Sequence, residues 1–377
     1  MKILKSSVSL LLVLGGGIGL TSYLTSCSCS NSTPTPSKPI PFTDEYFEWT
    51  TSADKLTITG LQSGVDLSNY DTLSIPATYT DGNSDTYFIT AIGVDAFNDV
   101  FNDSGTNTIT LLNLVNASNL LSINENAFFD CSGFTGSLTI PNSVTDIDDY
   151  AFYGCSGFNE ILTIGNLVIN VGNRAFSRAR FTNVINNSQN FNLADNVGNA
   201  KVLISASSGT GLDYENGSVV GCIAFGQLTI PDSVTSIGYK LFDACSGLTG
   251  PLIIPDSVIT INQWAFRTCW GFTGALTIPN SVISIIGYAF QGCSGFTGSL
   301  TIPNSVTDIG SGTFESCTRI DTINVSDWTT IPTIGNYAFL YFNTEGGIVL
   351  VPSNYDDLGI TISTFKGLPD TWQLQVI

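Results

Sequence analysis

The sequence predicts a β-rich repeat solenoid of about a dozen rungs of ~24 residues, with a parallel sheet on one face and short helical turns on the other. Two observations predict it. The phrase Leu-Thr-Ile-Pro-Asn-Ser-Val, then an isoleucine, Ala-Phe and a cysteine, recurs through the chain. Full-length copies run Leu138 to Phe152, Leu228 to Phe242, Leu252 to Phe266, Leu276 to Phe290 and Leu300 to Phe314. Cys245, Cys269, Cys293 and Cys317 are spaced by 24 residues, as are Cys131 and Cys155. A fixed period in this range marks units that bury their apolar faces only against neighbouring units.

The chain begins with a leader. Lys2 and Lys5 precede an uncharged stretch, Ser6 to Ser26, apolar at its centre from Val8 to Leu20. Leu24-Thr25-Ser26-Cys27 comes next and resembles a bacterial lipobox. That resemblance implies a signal peptide over 1–26 and a diacylglyceryl group on Cys27, anchoring the chain to the outer face of the cell membrane. An uncleaved anchor helix and a plain secretory signal are the alternatives, and all three export the rest of the chain. Residues 27–41 then form a tether. Asn31 to Pro39 is rich in Pro, Ser and Thr and should be extended, reaching ~28 Å at the polyproline rise.

Residues 42–97 read as an amino-terminal cap with a first repeat, and 98–182 as further repeats. Within one copy, Leu138-Thr139-Ile140 alternates with period two, as a strand does with Leu and Ile inward. Pro141-Asn142 ends the strand in a turn. Val144 and Ile147 give a second inward pair. Asp148 to Phe152 reads as a helical turn with acids at its start. Gly154 and Gly157 flank Cys155 and close the coil. Only the strands are expected to hydrogen-bond between units, with degenerate rungs near Leu73, Leu111, Val184, Val202, Ile323 and Ile348. The phenylalanines should stack as a column.

Residues 183–221 depart from the pattern, lacking both the Pro-Asn turn and the Ala-Phe pair. Asn183 to Ala200 reads as a polar loop, and Val202-Leu203-Ile204 as a rung strand. The segment is either a decayed repeat or a binding loop. Repeats resume over 222–366, and 367–377, with Trp372, reads as a carboxyl-terminal cap.

The cysteines read as small buried thiols. They fit no zinc spacing, and Ala179 replaces one, as expected where only volume matters. Cys222 is expected to hold the same place in a shorter unit. The chain has no histidine, which removes the commonest general base and neutral metal ligand. Asp81-Gly82-Asn83-Ser84-Asp85 imitates a calcium loop, but Thr86 and Ile92 stand where glycine and glutamate are needed, so a hairpin turn is expected. Net charge is −19, and 10 basic residues against 31 acidic remain after the leader, or −21. That argues against a nucleic-acid groove, which needs clustered Lys and Arg. No cofactor, metal or catalytic residue is expected.

The phrase Leu-Thr-Ile-Pro-Asn-Ser-Val-Thr-Asp-Ile with Tyr-Ala-Phe and Cys resembles the BspA-like, or treponemal-type, leucine-rich repeat. The resemblance spans roughly Trp49 to Phe365. It implies a leucine-rich-repeat solenoid, a cell-surface location and adhesion to matrix proteins or other cells, with no shared catalytic residues. The leader resembles those of mycoplasma-type lipoproteins. The candidate binding face is the outward column Thr139, Thr163, Thr229, Thr277 and Thr301, ending at Asn324, with Ile253 interrupting it. The expected function is a lipid-anchored adhesin or interaction scaffold with a host protein partner. The alternative is a passive or antigenically variable surface coat.

Overall fold

Each copy of the phrase makes one coil of a β-solenoid, and about ten coils stack. The computed structural model describes residues 37–102, 108–194, 197, 200–205, 212–217 and 219–377. The leader and Cys27 lie outside the described residues.

The coil follows from its residues. The strand Gly136–Thr139 pairs in parallel with Phe158–Ile164 of the next coil, Leu138 opposite Leu162 and Thr139 opposite Thr163. Pro141 has no N–H to give to a ladder. It starts a tight turn whose Val144 N–H returns to the Pro141 carbonyl at 3.2 Å. The turn serine ties neighbouring coils: Ser257 and Ser281 donate to the carbonyls of Val234 and Val258 at 2.7 and 2.6 Å. Asp146–Ile147 is a second short strand between Ser122–Ile123 and Asn170–Val171. The solenoid therefore carries two parallel ladders rather than one.

The predicted helical turns are corrected. The segment around Phe152 is a run of turns, not a helix. Tyr150 and Gly154, two residues either side of Phe152, have φ of +57° and +75°. The same places are left-handed at Trp264 and Thr268, and at Tyr288 and Gly292. This alternation aims every second N–H at the next coil: Tyr150 to Asn173, Phe152 to Ala175 and Gly154 to Ser177, at 2.8–3.1 Å. The face thus builds a third ladder, where helical backbone would have kept its bonds within the coil. The four-residue helix Tyr355–Leu358 is the α-helix among the described residues.

Two phenylalanine columns fill the interior. Phe128, Phe152 and Phe176 stack at 5.1–5.2 Å between ring centres. Phe242, Phe266, Phe290 and Phe314 stack at 5.4–5.6 Å. A second column runs Phe134 to Phe158 to Phe181 and Phe272 to Phe296; all but Phe181, which is two residues after Ala179, stand three residues after a cysteine. Glycine two residues after the cysteine lets coils approach. A Cβ on Gly295 would lie 2.0 Å from the Trp270 carbonyl oxygen.

The cysteines are buried, and they do more than occupy volume. Five of the six regular thiols donate to the carbonyl of the column phenylalanine one coil back, Cys131, Cys155, Cys269, Cys293 and Cys317 at 2.9–3.3 Å; Cys245 is the exception, facing the Asp243 carbonyl of its own coil at 3.9 Å. Cys222 does not hold the same place. Its thiol points forward to the Asp243 carbonyl at 3.1 Å, and Gly221 and Cys222 are both left-handed. Burial raises the Cys131 and Cys317 thiols to about 12 and the other column thiols well above their usual range.

The divergent segment is also corrected. Asn183–Asn186 is a parallel rung on Phe158–Ile164, with Val184 inward opposite Leu162. Lys201–Ser205 is not a rung: it runs antiparallel to Phe191–Leu193 and to Ala224–Phe225. The coils on either side meet past it. Asp243 takes both guanidinium arms of Arg267 at 2.7 and 2.8 Å and one of Arg174 at 2.8 Å. Ser177 Oγ donates to the Ala244 carbonyl, and Arg178 N–H to Ser246 Oγ.

At the amino end, Phe47–Ser52 and Lys55–Leu61 form a hairpin whose second strand starts the ladder on Thr86–Ile92. Asp81 Oδ1 accepts the N–H groups of Asn83 and Asp85, which makes the calcium-loop imitation a hairpin turn. At the carboxyl end, Gln373–Val376 adds a parallel strand, and Trp372 is buried against Phe342.

Candidate functional site

The outward threonines stand on the strand that precedes the Pro-Asn turn. Alternation puts the flanking Leu and Ile in the core and leaves the Thr on the surface. The structure pairs Thr139 with Thr163, and Thr277 with Thr301 and then Asn324. It does not join them into one column. The first pair belongs to the sheet Gly136–Thr139, Phe158–Ile164 and Asn183–Asn186. The second belongs to a separate five-stranded sheet that begins at Gly274–Thr277. Thr229 belongs to neither; it lies outside the strands, with its N–H on Val197 and its carbonyl accepting the Tyr214 hydroxyl. The side-chain oxygen of Asn324 accepts the N–H of Ser326, so it serves its own turn.

A groove borders each threonine pair. Thr139 and Thr163 line one of about 400 Å³ with Pro141, Asn142 and Asn187. Thr277 and Thr301 line one of about 450 Å³ with Ile253, Asp256, Asn280 and Asp327. Ile253 is 63% exposed there. The grooves are shallow and carry hydroxyls, amides, apolar edges and, in the second, two carboxylates. That chemistry suits extended contact with another macromolecule and offers no enclosed reaction centre.

Sequence reasoning missed a second exposed row. Ile259 and Ile283, on the short-strand ladder, are 46% and 49% exposed. The signal was present: they precede the inward isoleucine at the same place as Thr235 and Thr307. It also missed a cationic and aromatic cluster at Arg178, Arg180 and Trp270.

Catalytic chemistry finds no footing in the acidic residues singled out by sequence. Asp146 is held low by hydrogen bonds from Thr145 and Asn170, while burial and then the charges of Asp146 and Asp149 raise Asp148. Among the described residues, no three His, Cys, Asp or Glu side chains are grouped so as to hold a metal. Nor is any helix among them long and apolar enough to cross a membrane.

Six copies of the BspA type leucine rich repeat region match this chain, over residues 89–198 and 215–346. Among solved structures, the pneumococcal vaccine antigen PcpA is similar at 16% identity and a TM-score of 0.43, covering 89% of this chain and 92% of that one. A leucine rich cell surface protein from Faecalibacterium prausnitzii is similar at 19% identity and 0.31, covering 77% and 95%. The Treponema pallidum leucine rich repeat protein is similar at 16% identity and 0.29, covering 86% and 97%. No curated protein matches the sequence.

Proposed function

The chain belongs to the BspA type leucine-rich repeat proteins, and from that premise we propose that it is a non-catalytic cell-surface protein that holds another protein on its sheet faces. Leucine-rich-repeat solenoids are in general scaffolds for protein interaction. The observation that carries the reading is the pair of grooves along the threonine strands. In each pair the strand of Thr163 or Thr301 is hydrogen-bonded on both sides and the strand of Thr139 or Thr277 on one, so the contact surface is largely fixed before a partner arrives. A host matrix or cell-surface protein is the proposed partner, and adhesion the proposed role.

The experiment is saturable binding of purified protein to an array of immobilised host matrix proteins. Saturable binding to at least one of them is expected. Its absence across the array would favour the surface-coat alternative.

We further propose that Cys27 carries the membrane anchor. The support is the lipobox-like Leu24-Thr25-Ser26-Cys27 after an apolar stretch. Two acyl chains on one residue hold a protein stably at a bilayer. Radiolabelled palmitate should enter the wild-type protein and not Cys27→Ser. Equal label in both would remove the lipid claim.

A further inference from the structure

We propose that the hollow between Arg180 and Trp270 binds an acidic saccharide unit, a site separate from the sheet faces and beyond the reading above. The residue after the cysteine is Ser132, Ser156, Ser246, Ser294 or Thr318 in most coils, and Phe101 and Asn343 stand at that place toward the two ends of the stack. Two interior coils also depart. Trp270 follows Cys269, and Arg180 follows Ala179, which takes the cysteine place in a coil that also lacks the next glycine. These two departures are 90 positions apart, yet they meet: the Arg180 guanidinium carbon lies 5.7 Å from the Trp270 ring centre.

They meet because the solenoid is interrupted there. One sheet ends at Asn183–Asn186, and the other begins at Gly274–Thr277. Between them the coils touch through single bridges, Gly226 to Leu248 and Gly250 to Phe272. The missing strand leaves a hollow of about 380 Å³, which is room for one or two sugar rings.

Its lining fixes the chemistry. Arg180 supplies a fixed positive charge with planar donors that match a carboxylate or sulfate. Trp270 supplies a half-buried indole for the apolar face of a ring. Thr249 supplies a hydroxyl for a ring hydroxyl, while Thr182, which donates to the Glu160 carbonyl, can still accept, and Ser246, which accepts the Arg178 N–H, can still donate. No carboxylate lines it, in a chain of net charge −19. Among the described residues, Arg180 makes no ion pair, whereas Arg174 and Arg267 are both held by Asp243 and Arg178 acts on the Asp130 carboxylate. A hollow on the other side of Trp270 is lined by Arg178 but also by Asp99 and Asp130, so the anion belongs on the Arg180 side. An acidic peptide would satisfy Arg180 but, unlike a sugar, brings no ring with an apolar face edged by hydroxyls to set against Trp270 and Thr249.

Titration calorimetry on the purified protein tests this with three probes: unsulfated chondroitin tetrasaccharide, its sulfated form, and the same tetrasaccharide with its carboxylates reduced to alcohols. Saturable binding of an acidic form is expected, with the reduced form at least about tenfold weaker, since a charge-assisted contact is lost. Arg180→Ser and Trp270→Ser, which place there the serine of the regular coils, should each weaken binding at least about tenfold with unchanged melting temperature. Tighter binding of the sulfated form, with the same dependence on both residues, would assign the anion as sulfate. No saturable heat with either acidic form, equal binding of the reduced form, or indifference to both substitutions would overturn the proposal. So would tighter binding of a glutamate-rich peptide through the same two residues. Failure of matrix-protein binding leaves this result untouched, and the converse also holds.

Discussion

Raising the pH above about 8.5 should strip stability from the protein at up to about 8 kcal/mol per pH unit. Six column thiols, Cys131, Cys155, Cys245, Cys269, Cys293 and Cys317, are buried, and burial disfavours the thiolate. In the unfolded chain a thiol ionises near 8.5. In the fold Cys131 and Cys317 are raised to about 12, and the rest well above the usual range. The unfolded state therefore sheds up to six protons that the native state keeps. This contribution is fully present below the unfolded value and falls as pH rises toward the folded values. A domain holds a total of only about 5–15 kcal/mol, so unfolding should be complete before pH 11. Urea midpoints measured from pH 7.5 to 11 check this. Cys293→Ala should reduce the slope by about 1.4 kcal/mol per pH unit, one proton's worth. A midpoint that stays flat to pH 11 would show the thiols to be accessible in the native state.

Phe266→Ala should cost about 3–5 kcal/mol. The ring has no exposed surface. It lies between Phe242 and Phe290 with interplanar angles of 9° and 11°, and meets the edge of Phe272 at 6.0 Å. Its removal leaves a cavity that the flanking coils cannot close, because ladders hold them on two sides and a single bridge on the third. The amide of Phe266 donates to Ala289 whatever the side chain, so the loss isolates packing from the ladder. Urea denaturation of the variant at neutral pH measures it. A loss under about 1 kcal/mol would refute the column as the core.

The architecture was legible because every contact that builds a coil is repeated at the same interval. Leu138, Ile140, Val144, Ile147, Phe152 and Cys155 are all buried, as their spacing requires. What the period could not show is backbone handedness. Asp148 to Phe152 has the composition of a helix start, but Tyr150 is left-handed, a conformation its residue type does not announce. Strand direction is equally silent: Val202-Leu203-Ile204 is buried and apolar in either sense, and it is antiparallel. The cysteines were legible as buried volume; their hydrogen bond needs a carbonyl one coil away, which no single repeat displays.

The surface was less legible than the core. The threonine pattern is real within each sheet, but the division at residues 187–221 separates Thr163 from Thr277 and strands Thr229. Arg180 and Trp270 are visible in sequence as departures from serine. Their meeting is not, because it depends on two coils closing past the divergent segment. Recurring residues thus make the scaffold, and exposed residues on rigid strands are left to make contact.

That division is tested most directly by one comparison, binding to the array-identified matrix protein before and after Thr277→Arg with Thr301→Arg. Both side chains are on the groove and outside the core. The expected result is loss of binding by at least about tenfold with an unchanged melting temperature. Binding equal to wild type would contradict the sheet face as the contact surface.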